Sequence, residues 1–226
     1  MNKYSILIPI HNESNYVPIL LKELRPYYDK GNEIIIIDDG STDDSNAILK
    51  KTKFIKLIEI KNNSGKGYAI KEGLKNVSHH KIIIFDGDIE IHPSEISKLM
   101  ILNSKNKTRC VMGHRFESLK PVKSNFDWGN FIFTSFFNIL FNSYSKDILC
   151  CAKAFYIEDL KNYRLNSNGF DIDVELSTYF WILLKKRKIS KILLNYNRRT
   201  KEEGKKLQVI DGWKILSRLI KMIKYI

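Results

Sequence analysis

Residues 4–10 form an unbroken apolar run of strand length, and Val17, Leu20, Leu21 and Leu24 follow at helical spacing. A second, β-branched run at 33–37 leads to Ser41-Thr42-Asp43-Asp44, which supplies capping residues for a helix reaching Leu49. The alternation continues with a strand at 53–60, a helix opened by Gly65-Lys66-Gly67 and running to about Leu74, and a strand at 81–85. A helix at 94–102 stands behind Pro93, and 109–113 returns as a fifth strand. Wholly apolar strands separated by helices predict an α/β fold with a Rossmann-like, mainly parallel central sheet covered on both faces. The second half reads differently: a connection at 116–124, an aromatic-rich amphipathic helix at 126–141, an extended piece at 147–155 and a helix at 173–186. A strand at 189–197 and a terminal amphipathic helix at 208–226 complete it, without internal repeats or low-complexity tracts.

In parallel sheets ligands bind outside the carboxyl ends of the strands. The polar clusters fall there: 9–13, 38–41, 62–67 and 86–88. In Phe85-Asp86-Gly87-Asp88 the two acids alternate along the chain, so on a strand they share a face and can converge on one divalent cation; the plainer alternative is a solvated turn. Asp39 is placed to accept hydrogen bonds from a ribose or base edge, with Asp38 and Ser41 organising the turn. Gly65-Lys66-Gly67 offers backbone N–H groups and an ammonium to a diphosphate at a helix start, although it is not a Walker A loop. Gly67 could equally serve close packing. In Gly113-His114-Arg115 the guanidinium reaches the same edge; the bland readings are a surface ion pair for Arg115 and a solvated loop side chain for His114.

Composition narrows the classes. A hydrophobic fraction of 43% over 226 residues builds a substantial core and excludes a disordered chain. The net charge of +13 points to an anionic partner: nucleic acid, an acidic membrane surface or a phosphorylated substrate. Cys110, Cys150 and Cys151 have no zinc-ligand spacing and no disulfide pattern, which fits a reducing cytosol. The first apolar run is broken by Pro9 too early for a signal peptide, and the greasy stretch 131–141 falls short of the roughly 20 residues needed to span a bilayer.

Taken in order, Pro9-Ile10-His11-Asn12-Glu13, Ile37-Asp38-Asp39-Gly40-Ser41-Thr42-Asp43, Asn63-x-Gly65-Lys66-Gly67, Asp86-Gly87-Asp88 and Gly113-x-Arg115 resemble the motifs of family 2 inverting glycosyltransferases with the GT-A fold. Asp147-x-x-Cys150-x-x-Lys153-Ala154-Phe155 and Phe170-Asp171-Ile172-Asp173-Val174-Glu175-Leu176 are similar to the dolichol-phosphate mannose/glucose synthase branch. The resemblance covers nearly the whole chain. It implies one GT-A domain over 1–226: a nucleotide-sugar half (1–115), an acceptor-side half (116–207) and the terminal helix (208–226). Pro9, Asn12, Glu13, Asp39, Lys66 and Gly87 would line the donor pocket. Asp86 and Asp88 would hold Mg2+ or Mn2+ against the diphosphate of a GDP-mannose or UDP-glucose type donor. Arg115, Lys153, Arg199 and Lys205 would face the acceptor phosphate or leaving diphosphate. Two departures stand out: Cys151 replaces the small residue after Cys150, and the 199–207 loop, with Lys205 and Lys206, lacks the serine of the branch pattern.

Two acceptors fit. A dolichyl or other polyprenyl phosphate is already anionic and attacks the anomeric carbon without a protein base. A saccharide hydroxyl, as in glycan or cell-surface polysaccharide synthesis, needs a carboxylate, for which Asp173 or Glu175 are candidates, unless they only complement a helix dipole. Lys214, Arg218 and Lys221 share one face of the terminal helix, with Ile215, Leu216, Leu219, Ile220, Ile223 and Ile226 opposite. This layout, and a second greasy surface from Phe131, Phe133, Phe136, Phe137, Leu140 and Phe141, favours peripheral association with the cytosolic face of a membrane; packing against the domain or against a sister subunit is the alternative. The rival classes are a basic nucleic-acid-binding protein and a nucleotidylyltransferase. Acids at the predicted cleft count against the first, and the lack of a Gly-rich, Arg-containing loop between Pro9 and Glu13 counts against the second.

Overall fold

Apolar runs pair where the sequence places them. In the computed structural model, which describes residues 3–103, 105, 107–119, 125–184, 188–199 and 209–225 and gives only backbone at 125–127 and 209–210, seven strands form one sheet. The strands are β1 (Tyr4–Ile10), β2 (Glu33–Asp39), β3 (Lys56–Ile60), β4 (Lys81–Ile84), β5 (Cys110–His114), β6 (Lys153–Tyr156) and β7 (Ile189–Leu193), in the order β3-β2-β1-β4-β6-β5-β7. β1 to β4 are mutually parallel, as are β5 and β7, while β6 runs antiparallel to both β4 and β5. Because β6 is reversed, its first residue, Lys153, sits opposite Ile84 and Met112 at the carboxyl ends of its neighbours. The stretch leading into β6 is thereby brought to the ligand edge.

Alternation along the strands separates two cores. Tyr4, Ile6, Ile8 and Ile10 of β1 pack with Val17, Leu20 and Leu24 of α1 (Val17–Asp29) and with α4 (Ile96–Leu99) on one face. Leu7, Ile35, Ile37, Ile82 and Ile84 pack on the other against Ala69 and Ile70 of α3 (Lys66–Leu74) and Ile172, Leu176 and Phe180 of α6 (Ile172–Leu184). α2 (Ser45–Lys50) follows β2. A third cluster joins α5 (Asn125–Leu140), α6 and α7 (Val209–Met222) through Phe137, Phe141, Val174, Trp181, Ile215 and Leu219.

Three elements differ from the sequence expectation. β3 begins at Lys56, where its ladder to β2 starts at Ile35, and not at Lys53. The helix expected at 94–102 is a 3-10 turn (Pro93–Glu95) followed by the four residues of α4, because the Tyr4 hydroxyl accepts from Leu102 N and the Leu102 carbonyl accepts from Lys81 before another turn forms. β7 ends at Leu193, and 194–197 leaves the sheet to pair with the β4–α4 loop through an Ile91–Tyr196 bridge and Asn197 N donating to Glu90 O. The terminal helix spends part of its apolar face inside the protein: Ile215, Leu219 and Met222 are buried and Arg218 turns inward to Asp171 at 3.2 Å, while Ile220 and Ile223 are exposed. Phe137 and Phe141 are likewise core residues and form no outer greasy surface.

Candidate active site

The carboxyl ends of β1, β2 and β4 and the loops behind β3 and β5 enclose a cavity of about 530 Å³. Pro9, Glu13, Asp39, Lys66, Asp86, Gly87, Asp88, Arg115, Asp173 and Arg199 all line it, so the structure gathers most of the predicted residues into one place. Each loop is fixed by its own hydrogen bonds. Asp38 accepts from Ser41 N at 3.0 Å and so organises the turn, while the two oxygens of Asp39 accept from Ser64 N and Gly65 N, both at 2.8 Å. Asp39 thus anchors the start of α3. Gly65 at its N-cap has φ +97°, and a side chain there would collide with the Asn168 carbonyl. At Gly87 a Cβ would fall 2.5 Å from Ile10, which keeps the β4 loop tight against β1.

Charge is unevenly distributed. Lys66 Nζ lies 2.8 Å from Asp86 and 2.8 Å from Asp173, bridging β4 to the first turn of α6. Burial disfavours the ammonium, but Asp173 and Asp86 hold its pKa well above the ordinary lysine value. Burial also raises Asp86, yet Lys66, a hydrogen bond from Cys151 and the charge of Arg115 outweigh it and hold that carboxyl low. Asp173 goes the other way: its burial outweighs the pull of Lys66 and Lys153, and its Oδ1 is buried with no hydrogen-bond partner. Asp88 is pushed up to about 7 by burial and by the charges of Asp86, Glu90 and Glu13. Ile89, between Asp88 and Glu90, has φ +61°, a costly conformation for a β-branched residue that fixes this turn.

These residues fit a hard divalent cation. Crowded, mutually repelling carboxylates lose their repulsion when one binds, and oxygen donors suit Mg2+ or Mn2+. Among the described residues no group of three or more His, Cys, Asp or Glu converges on one ion position. Such a pair of acids matches a site completed by substrate phosphates.

Arg115 in the same lining makes a two-pronged ion pair with buried Asp147 (2.7 and 3.0 Å) and stacks on Phe116 and Tyr196. It is not a surface pair. His114 is buried, with Nδ1 2.8 Å from the Phe116 carbonyl, and is not a solvated loop residue. Arg199 Nη1 donates to Glu13 at 2.8 Å and to the Asp88 carbonyl at 3.1 Å, and its guanidinium sits 4.3 Å over Tyr16.

Other predicted residues stand elsewhere. Asn12 (φ +51°) is exposed and accepts from Thr42 N at 2.7 Å, tying two loops together outside the cavity lining. Lys153 is buried behind the wall, its ammonium donating to the Cys150 carbonyl. Glu175 is fully buried and accepts from Tyr163 Oη, Asn166 N and Ser167 N, so it braces the 163–167 loop away from the cavity, and of the two base candidates only Asp173 faces it. Lys205 and Lys206 lie outside the described residues. Glu90, Tyr196, Arg198, Phe170 and Asn130 line the cavity without having been singled out. Glu90 was open to discovery, since it extends the Asp86-x-Asp88 alternation by one step.

Comparison with solved structures places this architecture among the GT-A glycosyltransferases. Glucosyl-3-phosphoglycerate synthase from Mycobacterium tuberculosis, solved with Mn2+, uridine diphosphate and glucosyl-3-phosphoglycerate, superposes with a TM-score of 0.77 over 98% of this chain and 80% of its own, at 17% identity. The family model "Glycosyl transferase family 2" matches residues 5–163, and the chain belongs to that family. An undecaprenyl-phosphate 4-deoxy-4-formamido-L-arabinose transferase of Yersinia enterocolitica is 32% identical over 53% of this chain, which spans 39% of that relative. Glycosyltransferase AglJ of Haloferax volcanii is 26% identical over 76% of this chain and 56% of its own length.

Proposed function

We propose that the protein transfers one hexose, of the mannose or glucose type, from a nucleoside diphosphate sugar to a dolichyl or related polyprenyl phosphate, with inversion, at the cytosolic face of a membrane. The observation that carries this reading is the charge composition of the cavity: one lining brings Asp86 and Asp88 together with Arg115, Arg198 and Arg199. The acids, with Lys66 beside them, suit a metal-bound diphosphate, and the arginines suit a second phosphate. Of the similar proteins, one is named an undecaprenyl-phosphate 4-deoxy-4-formamido-L-arabinose transferase, and one was solved with Mn2+ and uridine diphosphate.

Asp86 and Asp88 would hold Mg2+ or Mn2+, which when bound neutralises charge on the departing diphosphate. Lys66, whose ammonium lies 2.8 Å from both Asp86 and Asp173 in the same lining, would add a positive charge beside that diphosphate. Arg115 is held rigid by Asp147 and presents its remaining donors to an acceptor phosphate, whose oxygen needs no base to attack. A panel of UDP- and GDP-sugars with a prenyl phosphate acceptor, run with and without EDTA, tests the reading. Lipid-linked, EDTA-sensitive product is expected; transfer only to saccharides overturns the acceptor.

That second acceptor has one observation in its favour, the unpartnered Oδ1 of Asp173, which is where a hydroxyl proton would be taken. Under the lipid-phosphate reading Asp173→Asn keeps most of its turnover and the pH profile of the wild type, because no proton is transferred to it. Under the hydroxyl reading it loses about 10²–10⁴-fold in kcat.

A further inference from the structure

We infer that α5, the turn after it and α7 form a face that lies on an anionic lipid bilayer, an inference that takes the polyprenyl-phosphate reading as its biological reason. Among the described residues, the large apolar side chains that are more than half exposed all belong to this region: Trp128, Ile132, Ile139, Tyr144, Trp213 and Ile220. Ile139, Tyr144 and Trp213 are 79%, 81% and 71% exposed, values far beyond those of scattered surface residues.

The arrangement is ordered. On α5, Asn130, Thr134 and Phe137 are buried and face the core, while Trp128, Ile132 and Ile139 recur on the opposite side at helical spacing. On α7, Asp211, Ile215, Leu219 and Met222 are buried, and Trp213, Ser217 and Ile220 follow the same spacing outward, with Lys224 exposed in the 3-10 turn Ile223–Tyr225 just beyond. Both helices pack on one cluster, and Phe133 of α5 is the nearest side chain to Gly212 of α7, so the two outward rows make one surface.

Its charge selects the occupant. The exposed charged residues described on α5, α7, the 3-10 turn after it and the turn at 141–146 are Lys146, Lys214, Lys221 and Lys224, while Asp147 and Asp211 are buried. Tryptophan and tyrosine among aliphatic residues, ringed by lysine, match the headgroup layer of an acidic bilayer. A second copy fits poorly, since a two-fold interface would set this lysine-rich face against itself. The same helices also reach the cavity through Asn130 and Ile215, so a phosphate anchored in the bilayer would arrive beside Arg115.

Vesicle flotation tests the surface. The intact chain is mixed with phosphatidylcholine vesicles, with or without phosphatidylglycerol, at low and high salt. Flotation is expected with the phosphatidylglycerol vesicles and is weakened by salt. Ile139→Asp combined with Trp213→Asp, and separately Lys221→Glu combined with Lys224→Glu, each lower the bound fraction more than about tenfold. Because these side chains are exposed, both variants keep their circular dichroism. They also keep transfer to a short, water-soluble prenyl phosphate, which separates a wrong surface from a wrong reaction: loss of that transfer in the wild type with flotation intact would sink only the reaction. Wild-type flotation by a folded variant of either kind, or a wild type that stays in the aqueous phase as a dimer, overturns the surface.

Discussion

Asp88 carries the tension of the site. It is half-buried beside Asp86, Glu90 and Glu13, and its carboxyl is raised to about 7. Replacing it with Asn removes one repelled charge, so Asp88→Asn should melt no lower than the wild type while losing at least about a hundredfold in transfer rate, a split that calorimetry and a transfer assay detect together. Lys66 is the opposite case. Lys66→Met leaves buried Asp173 and half-buried Asp86 without their cation and should cost about 3 kcal/mol in urea unfolding. Asp43 is set by simpler means: partial burial raises it, but hydrogen bonds from Ser45 and Ser14 prevail and hold it at about 2. A carboxyl depressed on folding stabilises fully above its unfolded pKa and loses that contribution as pH falls through the folded one. Asp43→Asn should therefore cost on the order of 1 kcal/mol at neutral pH, discounted for its solvent contact, and progressively less as pH falls from about 4 through 2, as paired urea titrations would show. Residue types at strand ends made Asp86, Asp88 and Lys66 legible. The placements of Lys153, Asn12 and Glu175 were not, since a motif does not say which way a side chain turns in the finished fold.

At the scale of elements, the apolar runs of β1, β2 and β4 were readable because strands buried on both faces need no polar alternation. The four residues of β6 carry no sign of their direction, and α4 is cut short by bonds from Tyr4 and Lys81, which are distant in sequence. Long-range partners of this kind leave no local pattern. The start of α3 depends on one glycine at φ +97° lying against the Asn168 carbonyl. Gly65→Ala should cost about 2 kcal/mol and lower the melting temperature by roughly 5 °C, measurable by differential scanning calorimetry.

The whole molecule is joined by one reversed strand. β6 comes late in the chain yet pairs with β4 and β5, so the first half has a gap in its sheet until the second half fills it. Unfolding should be a single cooperative transition by both circular dichroism and fluorescence, and a fragment ending at residue 115 should not fold alone, as its amide exchange would reveal. The consequence reaches beyond stability. A lineage built this way cannot trade its first and second halves as separate parts; change in the second half must come by reshaping α5, α6 and α7 around an inherited sheet.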